Sequence, residues 1–135
     1  MKRLAIFGTS GHAREVGDIA RSAGYRVSYI ARTEQEARHC QLNNVVVESD
    51  LRGNEQMHFA IGVGDNRTRE YIMNRYSPKL HFATLIHPSA SFGVNQRKAV
   101  LDSKAAVIFA GVRLTNRIRL ADGVILNQNA TIAHD

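Results

Sequence analysis

The stretch Val94-Asn95-Gln96-Arg97-Lys98-Ala99-Val100, continued through Ala106, Val112, Ile118 and Val124 to Ala130, puts a small aliphatic residue at every sixth position. A helix repeats its inward face every 3.6 residues and a strand every second residue, so neither produces that series. A β-helix does, because each triangular coil lays down three six-residue faces and turns one aliphatic side chain inward per face. Asn116, Asp122-Gly123 and Asn127-Gln128-Asn129, which favour turns, fall between the hits. A solenoid needs stacked neighbours and a closing element. The repeat runs to Asp135 without one, so the chain is expected to be part of a longer protein.

Upstream of Phe82 the rhythm is different. Leu4-Ala5-Ile6-Phe7 is a continuous apolar run ending at Gly8, the pattern of a parallel strand buried on both faces. Val16, Ile19, Ala20 and Ala23 then fall at helical spacing within 12–23, with Gly24 as the expected cap. Val27–Ile30 reads as a second strand, Glu34–His39 as a short helix, and Val45–Val47 and Met57–Ile61 as further strands. Asn66–Tyr76 reads as a helix capped by Asp65 or Asn66, with Tyr71, Ile72 and Tyr76 as its apolar contacts. Strands alternating with helices predict βαβ units and a parallel sheet. The expected fold class is therefore α/β. A Rossmann-like parallel-sheet domain over residues 1–82 is followed by the first coils of a left-handed parallel β-helix over residues 83–135, left incomplete.

Bulk composition narrows the function classes. The chain has 135 residues, 44% hydrophobic and 22% charged, the profile of an ordinary globular protein. No apolar run approaches the roughly 20 residues that span a bilayer, and the apolar run before Gly8 is too short for a signal peptide. A cytoplasmic protein without a membrane partner is expected. The charge of +6 comes from 18 Lys and Arg spread without a dense basic block or interleaved aromatics, which argues against nucleic acid. It suits a protein that handles anionic nucleotides or coenzyme A. Cys40, the single cysteine, reads as a half-buried thiol, and no ligand spacing suggests a metal.

Four motifs carry chemistry. Gly8-Thr9-Ser10-Gly11-His12 joins the first strand to the first helix, where glycines let a phosphate approach free helix N–H groups. It is not the dinucleotide fingerprint, since Ser10 and Ala13 occupy glycine positions. Ala31-Arg32-Thr33 follows the second strand where a dinucleotide site wants an acid; Arg32 leaves a 2′-phosphate open. Gly62-Val63-Gly64-Asp65-Asn66-Arg67 ends another strand and points at the same crevice. Ile86-His87-Pro88-Ser89 marks the join between the halves, with Pro88 holding His87 extended and His87 structural. Last, His134-Asp135 pairs an imidazole that takes protons near neutral pH with a carboxylate that orients it.

In this order, the four features make the chain resemble the sialic-acid O-acetyltransferase and UDP-4-amino-sugar N-acetyltransferase family of hexapeptide-repeat acyltransferases. The likeness extends from Gly8-Thr9-Ser10-Gly11-His12-Ala13-Arg14-Glu15-Val16 through Leu85-Ile86-His87-Pro88-Ser89-Ala90 to Gly123-Val124-Ile125-Leu126-Asn127 and His134-Asp135. It implies a homotrimer with active sites between subunits, and acetyl-CoA as co-substrate with no metal. It also implies acetyl transfer to an amino or hydroxyl group of a nucleotide-activated sugar or sialic-acid-type acceptor in bacterial glycan synthesis. On that resemblance Ser10, Gly11, His12, Gly62 and Asp65 contact the nucleotide, His134 is the general base, Asp135 stands beside it, and Asn127 lies close to the reacting groups. The coils that follow His134-Asp135 in the family supply much of the coenzyme A site, so these 135 residues alone are expected to have little activity. Two rival readings are a non-enzymatic nucleotide-sugar-binding and oligomerisation module, and an NAD(P)-linked oxidoreductase.

Overall fold

The computed structural model describes residues 1–51 and 57–135. Its first half alternates β1 (Arg3–Phe7), α1 (Gly11–Ser22), β2 (Arg26–Ala31), α2 (Glu34–His39), β3 (Val45–Val47), β4 (Met57–Ile61), α3 (Asn66–Tyr76) and β5 (His81–Phe82). The strands form one parallel sheet in the order β3-β2-β1-β4-β5. β1 is central because both its faces are apolar. Leu4 and Ile6 pack towards α1, while Ala5 and Phe7 pack with Ile72 of α3. Burying Leu4, Ile6 and Phe7 stabilises the fold by about 1.5–3 kcal/mol apiece.

α1 turns Ala13, Val16, Ile19 and Ala20 inward and ends where Gly24 takes φ +83°. Its apolar face meets more than the sheet. The same core cluster contains Leu85, Val107, Ile108, Phe109 and Val112 from the second half, so α1 is clasped between the two halves.

The second half comprises β6 (Leu85–Ile86), β7 (Ser91–Phe92), α4 (Gln96–Leu101), β8 (Val107–Ile108), β9 (Arg113–Asn116), β10 (Ile125–Leu126) and β11 (Thr131–His134). These strands stack into two parallel three-stranded sheets, β6-β8-β10 and β7-β9-β11, the opening coils of a β-helix. Val107 pairs with Ile125 and Arg113 with Thr131, an offset of 18 residues, or three sixes. Left-handed backbone marks the corners: Ala105, Gly111, Arg117, Gly123, Asn129 and Asp135 all have positive φ, each six residues after the last.

The first coil departs from the count made from Val94. Leu85 pairs with Val107 and Ser91 with Arg113, an offset of 22 residues, because α4 replaces the third face and adds four residues. Val94 is 85% exposed rather than inward, and Val100 is buried as a helical residue, not as a coil face. The sixfold register begins at Ala106. Ala106, Val112 and Ile118 are buried, while Val124 and Ala130 in the last coil are half-buried.

Side chains replace the ladder bonds that α4 removes. The Gln96 carboxamide, only 3% exposed, donates from Nε2 to the Ile118 carbonyl (2.7 Å) and accepts the Ile118 N–H at Oε1 (2.9 Å). Ser103 Oγ donates to the Leu120 carbonyl (2.8 Å), and the Lys104 N–H donates to Asp122 Oδ1 (2.8 Å). At the join, His87 Nδ1 accepts from the Ser89 N–H (3.0 Å).

Candidate functional site

Open α/β sheets bind ligands beyond the carboxyl ends of their strands, where the strand order reverses. Here that point lies beside β1, which has β2 on one side and β4 on the other. A cleft of about 410 Å³ opens there. Phe7, Ile30 and Ile72 give it a buried apolar lining, and Arg32, Arg67, Glu36 and Glu48 supply charge. Tyr71, expected as an apolar contact of α3, is instead 55% exposed and lines this cleft. The periodicity missed it because a tyrosine suits either a core or a wet wall.

Two glycines let the cleft form. Gly8 has φ +115°, and a Cβ there would come within 2.7 Å of the Gly62 carbonyl oxygen. A Cβ on Gly62 would reach the Ala13 Cα at 2.6 Å, while its N–H donates to the Phe7 carbonyl at 2.8 Å. So Gly62 locks the second loop against β1 and α1. Ser10 and Gly11 lie exposed at the start of α1, and the Ser10 side chain makes no capping bond.

His12 turns towards the coils. Its ring lies 5.4 Å from that of Phe109, and among the described residues its buried Nε2 has no hydrogen-bond partner. Burial pushes its pKa below the ordinary value; Glu15 acts upward against this and the Arg69 charge acts downward with it. Asp65 caps α3, accepting the Thr68 N–H and hydroxyl at 2.7 Å each, and these bonds hold its carboxyl below the usual range. Beside it, Arg69 bridges the halves. It donates to the Gly64 carbonyl (2.7 Å), the Asn66 side chain (2.7 Å) and the Gly123 carbonyl at a coil corner (3.0 Å).

The sequence reading found no acid at the end of β2, yet the structure brings one there. Glu36, in the first turn of α2, accepts the Arg32 N–H at Oε2 (2.8 Å) and the Thr9 hydroxyl at Oε1. Thr33 caps the helix by accepting the Glu36 N–H (3.1 Å). The signal was present as Thr33-Glu34-Gln35-Glu36, the spacing of a capping box whose glutamate reaches back past the helix start.

At the other end of the chain, His134 closes β11 opposite Asn116 of β9. Its Nδ1 lies 3.0 Å from Asp135 Oδ2, and Arg117 approaches Asp135 Oδ1 at 3.5 Å. The tautomer that donates from Nδ1 to a carboxylate has Nε2 as its basic nitrogen. Asn127 is exposed on the turn before β11, with its carbonyl bonded to the Ala130 N–H (3.1 Å). None of Ser10, Gly11, His12, Gly62 and Asp65 is among the residues that line the cleft: the first three lie at the start of α1, with His12 against Phe109, and the other two lie between β4 and α3. His134 and Asp135 pair on the coil ladder. Among the described residues, no group of three or more His, Cys, Asp or Glu is placed to hold a metal, and no helix is long and apolar enough to cross a membrane.

Comparison with known proteins agrees with this architecture. Residues 3–76 match the PglD N-terminal domain. The chain superposes along its full length on the acetyltransferase domain of PglB from Neisseria gonorrhoeae FA1090, with a TM-score of 0.75, 24% identity and 66% of that chain covered. The same domain in complex with acetyl coenzyme A gives a TM-score of 0.75 and 25% identity over 99% of this chain and 65% of that one. PerB from Caulobacter crescentus, in complex with CoA and GDP-perosamine, gives 0.74 and 22% identity over 100% of this chain and 64% of that one. The chain therefore spans just under two thirds of the length of these structures.

Proposed function

As the chain belongs to the PglD N-terminal domain family, we propose that the whole protein transfers acetyl from acetyl-CoA to an amino or hydroxyl group of a nucleotide-activated sugar. The His134–Asp135 pair carries the proposal: an imidazole held through Nδ1 by a neighbouring carboxylate, at the exposed end of a coil ladder. Likeness to an acetyltransferase domain that binds acetyl coenzyme A supports it. The α/β half supplies a cleft of nucleotide size with two arginines for phosphate oxygens.

The chemistry follows from the groups present. A thioester is already activated, so the acceptor nitrogen or oxygen attacks the acetyl carbonyl carbon directly. The C–S bond breaks and the sulfur of coenzyme A leaves. His134 Nε2 takes the proton given up by the acceptor and returns it to the sulfur. Asp135 keeps the ring in the right tautomer, and Asn127, on the turn before β11, is assigned a place near the reacting groups. Ser10, Gly11 and His12, with Gly62 and Asp65 on the facing loop, are assigned to the nucleotide. Assembly as a homotrimer and a cytoplasmic location belong to the same proposal.

The test is release of coenzyme A thiol from acetyl-CoA, measured in the whole protein with a UDP-4-amino sugar and with GDP-perosamine. General-base catalysis contributes on the order of 10²–10⁴-fold. His134→Ala is expected to lower turnover by that amount while nucleotide affinity holds. Unchanged turnover would remove His134 from the mechanism, and no thiol release with any nucleotide sugar would remove the reaction.

A further inference from the structure

We infer that Glu36 reads the ribose of the bound nucleotide, accepting hydrogen bonds from its 2′- and 3′-hydroxyls; this rests on the nucleotide-sugar reading of the cleft. In doubly wound sheets a nucleotide whose phosphates meet the first glycine loop brings its ribose to the carboxyl end of β2, where an acid receives the hydroxyls. In this chain β2 runs out into Ala31-Arg32-Thr33. The carboxylate comes instead from α2, and Glu36 lines the cleft together with Gly8 and Ile30.

The hydrogen bonding fits a diol. A carboxylate offers about four acceptor positions. Thr9 occupies one on Oε1 and the Arg32 N–H one on Oε2, leaving each oxygen with an acceptor position. Two adjacent free acceptors match the two adjacent donors of a ribose. The group is also fixed before anything binds, because one anchor is main chain at the edge of β2 and the other is a hydroxyl of the first glycine loop. Binding therefore costs little further ordering of this side chain. Thr9 further ties the sugar reader to the loop assigned to the phosphates.

Charge sharpens the specificity. Arg32 alone would suit a 2′-phosphate, but a carboxylate bonded to the Arg32 N–H repels a second anion at that place. The site is thus one for an unmodified ribonucleotide, not for NADP.

Calorimetric titration of the unmodified chain with UDP and 2′-deoxy-UDP, and with GDP and 2′-deoxy-GDP, tests this directly. Losing a hydrogen bond to a charged acceptor weakens binding roughly tenfold or more, and that is the expected preference for each ribonucleotide. Glu36→Gln is expected to bind the ribo form more weakly and to lose most of the preference, while Thr9→Val, which frees one anchor, loses part of it. NADP is expected not to compete. Equal affinity for ribo and deoxy forms, or a full preference retained in Glu36→Gln, overturns the ribose assignment and leaves the nucleotide reading standing. Failure of both UDP and GDP to bind removes the nucleotide reading and this inference with it.

Discussion

The two coils of the β-helix are built to different lengths, and their difference shows where this fold tolerates change. The second coil keeps the 18-residue repeat, closing each face with main-chain bonds between stacked strands. The first coil is four residues longer and exchanges one face for α4. The stack survives because Gln96 presents to Ile118 the same donor and acceptor that a neighbouring strand would have presented. A solenoid thus accepts an insertion at a face if side chains satisfy the buried main chain left behind.

The sharpest way to break that equivalence is Gln96→Leu. It keeps an apolar bulk but leaves the Ile118 N–H and carbonyl buried without partners. Each such group costs about 1–3 kcal/mol, so a loss of about 2–6 kcal/mol in urea unfolding is expected. A loss below about 1 kcal/mol, within the range of an ordinary hydrogen bond, would mean that water replaces the carboxamide and the coils are not equivalent.

Gly62→Ala asks the same question of the α/β half, where main chain rather than side chain makes the close contact. The added methyl meets the backbone of α1, which cannot yield as a flexible side chain would. A loss of about 1–3 kcal/mol is expected, as for other overpacked sites, together with weaker nucleotide binding.

Acid sensitivity separates the halves more finely. His58 contacts the His81 ring at 4.9 Å and the Tyr25 ring at 5.6 Å, and among the described residues its buried Nδ1 has no hydrogen-bond partner. Burial, then the nearby His81 and Lys2 charges, push its pKa below the ordinary value. The unfolded chain therefore binds this proton more readily than the folded one. Stability should be full above the unfolded pKa of about 6.5, then fall as the pH drops towards the lowered folded value. His12 shifts in the same direction but lies on the seam against Phe109. In melting curves from pH 7.5 to 5, about the range in which histidine titrates, His58→Gln should flatten the slope that arises within the α/β half. His12→Gln should flatten what arises at the seam. An unaltered slope in both would place the acid sensitivity in other groups.

The smallest expected effect concerns the corners. Arg117 holds a left-handed conformation with φ +59°, its side chain is 82% exposed, and it forms an ion pair with Asp135. A residue with a side chain is strained there, whereas glycine is not, and exposed pairs contribute little. Arg117→Gly is expected to raise stability by about 0.5–1 kcal/mol. Gly123, at the equivalent corner position six residues on, already has the favourable residue.

Most of the α/β half was legible because its signals are local. The apolar run of β1, the spacing of Val16, Ile19 and Ala20, and the Asp65 cap each lie within a few residues, and β4, α2 and α3 have the boundaries the pattern implied. The six-residue count misled at its start because Val94 and Val100 also lie six apart when a helix runs between them. A period alone carries no record of which backbone produces it. For Glu36 the local part was visible in the capping-box spacing from Thr33, whereas its contact with Thr9, 27 residues away, is encoded by no local pattern. The His134–Asp135 pair could be read because its members are neighbours in the chain.

The position of α1 between the sheet and the coils has a bearing on how the molecule comes apart. Leu4 and Ile6 share one core with Val107, Ile108 and Phe109 through that helix. Loosening either half strips apolar cover from the other, so neither forms a separate cooperative unit. Heating is expected to give one transition, with the slowest amide exchange on α1 and the central strand, protected up to the global unfolding energy.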